Sequence, residues 1–243
     1  MRLGGYILSS MVEYPGKQST VIFTLGCNFN CSYCHAYDLI KDTELADIET
    51  KMFKEIEAYK SWIDAIVITG GEPTLHRDLP AFVRRLKQFG LPIKLRTNGA
   101  YPFVLNELIE DDLIDFISID YKLPLNQGAY TNLTNAPVKI LDIQKSFRLI
   151  QDSHVDREYR TTLCPAYVDL KQLKIMASYL EGRDYKPWIL QQYRPIDVLD
   201  IDQAGQEVYT RSDIDEILTT LQTIYPSIEL YGDFLEQGTG NGN

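Results

Sequence analysis

The chain has 243 residues, 44% of them hydrophobic and 24% charged, with a formal net charge of −10. That balance suits one sizeable globular core and excludes a mostly disordered chain. The acidic surface argues against a nucleic-acid partner, and the absence of a run of about 18 apolar residues or of a basic segment leading into an apolar one argues against a membrane span or signal peptide. The expectation is a cytoplasmic enzyme-sized domain.

Strand-like apolar runs alternate with amphipathic stretches from Thr20 to about Arg194, the pattern of βα units around a parallel sheet. Thr20–Leu25 forms the first strand and ends at Gly26. A helix follows from about Thr43, with Leu45, Ile48, Met52, Ile56 and Tyr59 on one face. Ala65–Thr69 is the second strand and runs into Gly70-Gly71. Asp78 caps the next helix, whose Pro80 lies in the first turn, where a missing N–H costs nothing. Ile93–Thr97 and Phe116–Asp120 are the third and fourth strands, ending at Asn98-Gly99 and Tyr121-Lys122.

A helix carries Val138, Leu141 and Phe147. The fifth strand, Glu158–Leu163, ends at Cys164, and the next helix presents Leu173, Met176 and Leu180. Trp188–Gln192 is the sixth strand. A capped helix from Ser212 and a short strand, Ile228–Tyr231, close the body. One domain spans residues 1–237, with an extension from about 195, and the Gly/Asn-rich residues 238–243 form a flexible tail. Six βα units imply a doubly wound sheet or a partial barrel, and in both the chemistry gathers at the carboxyl ends of the strands. The polar and glycine-containing motifs that follow these strands all lie at such an end.

The first of these is Cys27, Cys31 and Cys34, a CxxxCxxC run, with Cys164 the one further cysteine. Three thiolates on a four-iron cube leave one iron open, which favours catalysis over passive electron transfer and requires a reducing compartment. Structural zinc is the competing reading, with His35 or Cys164 as a fourth ligand. Gly70-Gly71-Glu72-Pro73 follows the second strand. Its glycines would let a ligand approach the backbone, and Glu72 could accept from an ammonium group, although a tight turn with a stray acid has the same sequence.

Together, CxxxCxxC after the first strand and GGEP after the second resemble the radical S-adenosylmethionine (SAM) superfamily, whose fold is a partial (β/α)6 TIM barrel in the α/β class. Glu13-Tyr14-Pro15-Gly16-Lys17, the run from Phe23 to His35, Thr97-Asn98-Gly99, Asp120-Tyr121-Lys122 and Thr161-Thr162 are similar to the activating proteins of anaerobic ribonucleotide reductase. The similarity covers most of residues 3–195. It implies a [4Fe–4S] cluster held by Cys27, Cys31 and Cys34, whose open iron chelates S-adenosyl-L-methionine. It places Tyr33 near the adenine, Gly70, Gly71, Glu72 and Pro73 at the ammonium group, Thr97 and Asn98 by the ribose, and Asp120 and Lys122 near the sulfonium and carboxylate, Lys122 within the catalytic set. Gln192, with Gln191 and Tyr193, ends the sixth strand near SAM or an incoming peptide, where a core-edge hydrogen-bonding role is the alternative.

Two positions depart from the activase pattern. Arg96 stands where activases carry Asp, which in pyruvate formate-lyase activase helps hold a monovalent cation. The expectation is that the Arg96 guanidinium replaces that ion and pairs with Asp120. Ala36 replaces Asn, a matter of loop packing. Cys164 is expected to be a buried core thiol, and His76 and His154 surface or capping residues.

The activity the resemblance implies is reductive cleavage of SAM to methionine and a 5′-deoxyadenosyl radical, which takes hydrogen from the Cα of a glycine in a partner glycyl radical enzyme, in the first instance anaerobic ribonucleotide reductase. A flavodoxin- or ferredoxin-like protein would supply the electron. Residues 35–69 contain no cysteine for an accessory cluster. Radical SAM chemistry on a small molecule or another peptide is the alternative, with 195–237 as its cap, and a non-catalytic zinc or iron–sulfur module is the third reading.

Overall fold

The computed structural model describes residues 1–40, 48–182 and 185–232. Its strands are β1 Leu3–Tyr14, β2 Lys17–Thr24, β3 Ala65–Gly70, β4 Ile93–Thr97, β5 Phe116–Asp120, β6 Asp156–Leu163, β7 Trp188–Gln192 and β8 Ile228–Tyr231. Its helices are α1 Ile48–Tyr59, α2 Leu79–Leu86, α3 Pro102–Glu110, α4 Gln127–Thr134, α5 Ile140–Asp152, α6 Leu170–Leu180, α7 Ile201–Ala204 and α8 Arg211–Leu221. They fall into two compact units, one made of residues 1–29, 36–120 and 139–157, the other of 30–35, 121–138 and the chain from 158 on.

In the first unit β1 to β5 follow one another in chain order, β1 antiparallel to β2 and the rest parallel. Ala65, Ile66, Val67 and Ile68 of β3 are all fully buried, as a strand covered on both faces requires. Alternation then divides the unit in two. Ile22, Ile66, Ile68, Leu95, Ile117 and Ile119 are fully buried on one face, each contributing about 1.5–3 kcal/mol. The other face carries Val21, Val67, Lys94, Arg96, Phe116, Ser118 and Asp120, with Val67 in register with Lys94 and Lys94 with Phe116. Tyr14 packs on Val21, Ala65 and Val67 there. Lys94 is buried, its Nζ 4.7 Å from the Phe116 ring centroid and 5.9 Å from that of Tyr14.

The β1–β2 hairpin is the main element not expected. Tyr14 pairs with Lys17 across Pro15-Gly16, where proline presets φ and Gly16 takes a left-handed φ of 67°. β2 accordingly begins at Lys17. Further corrections concern helix faces. Leu141 is 74% exposed, and α5 instead buries Ile140, Ile143, Phe147 and Ile150. Tyr59 is exposed at the end of α1, whose buried residues are Met52 and Ile56. Asp78 and Pro80 begin α2 as expected, but the Asp78 side chain makes no capping hydrogen bond. The expected helix start at Thr43 with Leu45, and the tail 238–243, lie outside the described residues. α3, α4 and α7 are additional.

In the second unit β6, β7 and β8 run parallel in chain order. Trp188 is its centre, fully buried, with its indole N–H 2.9 Å from the Thr161 hydroxyl, which in turn donates to the Tyr121 carbonyl. α6 buries Leu173, Met176 and Leu180. α8 starts one residue earlier than expected, capped by a reciprocal Thr210–Asp213 box.

Candidate active site

In the first unit backbone hydrogen bonds tie the carboxyl ends of β2 and β3 together, and the Glu72 side chain joins the end of β4 to them. The Gly71 N–H donates to Thr24 O at 2.9 Å and the Glu72 N–H to Gly26 O at 2.8 Å. A Cβ at Gly71 would collide with the Gly26 carbonyl oxygen, and one at Gly70, where φ is 111°, with the Thr24 backbone. The glycine pair therefore serves first to let the turn after β3 press against the chain's own β2 loop. His76 adds a tie, its Nε2 2.8 Å from Leu25 O. It is half-buried and, as expected of a capping residue, closes the Pro73–Leu75 turn, its N–H donating to Pro73 O at 3.1 Å.

Glu72 lies at the middle of this region and is 1% exposed. Its Oε1 accepts from the Thr74 N–H at 3.0 Å, from the Thr97 hydroxyl at 2.6 Å and from the Thr74 hydroxyl. Its Oε2 accepts from the Asn98 N–H at 2.7 Å. Burial raises the Glu72 pKa, while the hydroxyl and N–H donors pull it down. The Asn98 side chain reaches the other way, its Nδ2 donating to Asn28 Oδ1 at 2.9 Å. Asn28 follows Cys27, whose Sγ accepts from the Phe29 N–H at 3.4 Å. Tyr101 stands close by, its phenol pushed up by burial and then by the charges of Glu72 and Cys27. Sequence reasoning passed over Asn28 and Tyr101, because an asparagine beside a cysteine and a tyrosine before a helix carry no spacing signal.

Arg96 does not take the partner expected for it. Its Nη1 lies 3.0 Å from Glu13 Oε2 near the end of β1, so the ion pair is Arg96–Glu13, not Arg96–Asp120. The hairpin explains this: it brings the end of β1 over the face from which Arg96 projects. Asp120 is half-buried at the end of β5.

The second unit holds Cys31 and Cys34 in a turn closed by Cys34 N–H to Cys31 O at 3.0 Å. Residues after β7 clasp that turn: Leu199 N–H donates to Cys34 O at 3.1 Å and Asp200 N–H to Ser32 O at 2.9 Å. The Ser32 and Tyr167 hydroxyls are 2.7 Å apart. Tyr33 is buried against Tyr167, ring centroids 6.1 Å apart, and Lys122 Nζ lies 5.9 Å from the Tyr33 centroid. Gln192 is half-buried at the end of β7. Burial and the Arg194 charge lower the pKa of the His35 ring, against a smaller opposing effect of the Asp197 and Ile196 backbone.

Cys164 is fully buried, its thiol 3.4 Å from Ala204 O and pushed up to about 11 by burial. At pH 8 only about one thiol in a thousand would be ionised at such a value. Iodoacetamide at pH 8 is expected to alkylate Cys27 and Cys34 in the native metal-free chain and to reach Cys164 only in denaturant. Prompt labelling of Cys164, read by peptide mass, would contradict its place in the core.

All four cysteines are free thiols. Among the described residues no three His, Cys, Asp or Glu side chains gather as a single metal ion requires. A four-iron cube makes no such demand, because each thiolate binds its own iron. Free thiols, an N–H aimed at Cys27 and a tight Cys31–Cys34 turn suit that donor set.

Comparison with known proteins decides the family. The model of the radical SAM superfamily matches residues 21–167. This chain belongs to the radical SAM superfamily. Two relatives from Methanocaldococcus jannaschii bear the name "Putative glycyl-radical enzyme activating enzyme". One is 33% identical over 82% of this chain and 82% of its own length, the other 34% identical over 74% and 69%. A "Probable GTP 3′,8-cyclase" of Pyrococcus abyssi is 29% identical over 56% of this chain and 45% of its own.

Among solved structures, Streptococcus suis SuiB bound to S-adenosylmethionine matches with a TM-score of 0.70 at 13% identity, over 87% of this chain but 50% of its own length. The chain thus spans about half of that protein. The fold class is the α/β partial barrel of the radical SAM type, and the cofactors of this radical SAM chain are a [4Fe–4S] cluster and S-adenosylmethionine. No helix among the described residues is long and apolar enough to cross a membrane.

Proposed function

We propose that this radical SAM chain activates a glycyl radical enzyme by taking a hydrogen atom from the Cα of one glycine in that partner. The observation that carries the reading is the match to two activating-enzyme relatives over more than two thirds of both chains in each case. Cys27, Cys31 and Cys34 would hold three irons of the cluster. When bound, the reduced cluster supplies the electron that splits SAM into methionine and a 5′-deoxyadenosyl radical. The chain's own residues bind, orient and exclude water. The Gly70–Pro73 turn would receive the SAM ammonium. Tyr33, walled by Tyr167, offers an aromatic face, and Lys122 beside it offers a cation to a carboxylate. Asp120, Thr97, Asn98 and Gln192 complete the expected lining.

Anaerobic ribonucleotide reductase is the proposed partner, on the strength of Glu13-Tyr14-Pro15-Gly16-Lys17 and the Phe23–His35 run, with a flavodoxin- or ferredoxin-like donor in the cytoplasm. The cyclase match favours a second reading, radical chemistry on a small molecule. Electron paramagnetic resonance separates the two. The reduced, iron-loaded chain with SAM is expected to raise a stable glycyl radical doublet on the glycyl radical enzyme of its own organism. If no doublet forms and 5′-deoxyadenosine rises only with a nucleotide, the small-molecule reading takes its place.

A further inference from the structure

Glu72 stands inside the motif expected to receive an ammonium group, yet its carboxylate is 1% exposed and turned to donors of the protein itself. A carboxylate offers about four acceptor sites. Two donors from Thr74 and one from Thr97 crowd Oε1, and the Asn98 N–H takes one site on Oε2, all at 1% exposure. Thr97 is itself fixed, its hydroxyl accepting from the Gly99 N–H at 3.1 Å. Asn98 is held likewise, its Oδ1 accepting from the Ala100 N–H at 3.0 Å. With its backbone N–H given to Glu72 and its Oδ1 to Ala100, Asn98 turns Nδ2 to Asn28, the neighbour of Cys27. An unbroken series of hydrogen bonds therefore runs from Glu72 to the loop of the first cysteine.

We propose that Glu72 is a positioning residue: a buried anion that locks the turn after β3 to the turn after β4 and, through Asn98 and Asn28, holds the loop of Cys27. The inference rests on the proposed function only in taking Cys27 as an iron ligand.

The test compares the full-length, anaerobically reconstituted chain with Asn28→Leu, Asn98→Leu, the double variant, Asn28→Asp and Glu72→Gln. Three quantities are read: the rate of iron capture by a ferrous chelator, the SAM dissociation constant, and the melting temperature of the metal-free chain. Each leucine variant is expected to speed iron loss 10–100-fold, in line with the effect of removing a partner that orients a metal ligand. The double variant should be no faster than the worse single one, because both break the same link. Asn28→Asp, which keeps an acceptor for Asn98, should stay near wild type. Glu72→Gln turns an amide N–H₂ toward a donor and should lower the melting temperature and speed iron loss together.

Weakened SAM binding in Glu72→Gln with melting and iron loss unchanged would make Glu72 a ligand and overturn the proposal. Unchanged iron loss in both leucine variants, or additive effects in the double, would do the same. Should the wild-type chain take up no iron, the proposed function falls. Melting of the two leucine variants and their double then decides the link alone, non-additive losses supporting it and additive or absent ones overturning it.

Discussion

Replacing any one of Cys27, Cys31 and Cys34 by alanine is expected to abolish 5′-deoxyadenosine formation, not merely slow it. The cofactor carries the hard chemistry, so the loss is of the reactive group itself. Each thiolate is assigned to a separate iron, and removing one opens a second iron and leaves the cube poorly held. The backbone explains why a neighbouring side chain cannot substitute. Cys34 and Ser32 are pinned by Leu199 and Asp200. Cys164→Ser is the control. That thiol is buried against Ala204 O, and a hydroxyl there keeps the hydrogen bond, so activity should persist. Product formation is read by chromatography. Substantial turnover in any of the three alanine variants would contradict the ligand assignment.

The second large effect is expected from the smallest change, Gly71→Ala. A methyl at Gly71 would overlap the Gly26 carbonyl oxygen, which also accepts the Glu72 N–H at 2.8 Å. Neither side of the clash is a flexible side chain, so backbone must separate. Overpacking costs about 1–3 kcal/mol, and the two hydrogen bonds that tie this turn to β2 contribute about 1 kcal/mol each. A total of about 3–5 kcal/mol lowers the melting temperature of a chain this size by about 10 °C. Gly90→Ala is the contrast: Gly90 has φ 73° but nothing within 4 Å of its Cβ position, so only the left-handed backbone strain, about 1 kcal/mol, applies. Equal melting temperatures for Gly71→Ala and wild type would show that the two loops do not press together as described.

The same contrast between crowded and open positions explains which parts of the fold were legible in the sequence. β4, β5, β7 and β8 have the ends read from the chain, and β3, a continuous buried apolar run cut by glycine, extends one residue further. β1 was not legible. Its Ile7, Met11 and Val12 are exposed, Gly4-Gly5 and Ser9-Ser10 interrupt it, and its pairing with β2 shifts register repeatedly, so no period of two survives. Leu141 misled for the opposite reason: an apolar residue in a helical stretch was taken as facing inward while Ile140 and Ile143 do so.

The candidate site was legible as a set of strand-end motifs, but not in its connections. That Glu72 would be held by Thr74, Thr97 and Asn98, and that Asn98 would reach Asn28, depends on loops adjacent only in space. Arg96 shows the cost of that blindness, since its partner Glu13 is supplied by the hairpin that the pattern missed.

The central claim is hydrogen abstraction from a partner glycine, and isotope transfer tests it most directly. The partner glycyl radical enzyme would be prepared with glycine deuterated at Cα and mixed anaerobically with the reduced chain and unlabelled SAM. The mass of the 5′-deoxyadenosine would then be measured. One deuterium in the 5′-deoxyadenosine, appearing with the glycyl radical and absent in Cys27→Ala, is the result predicted. Unlabelled 5′-deoxyadenosine at the same rate with and without the partner would contradict the claim and direct attention to a small-molecule substrate.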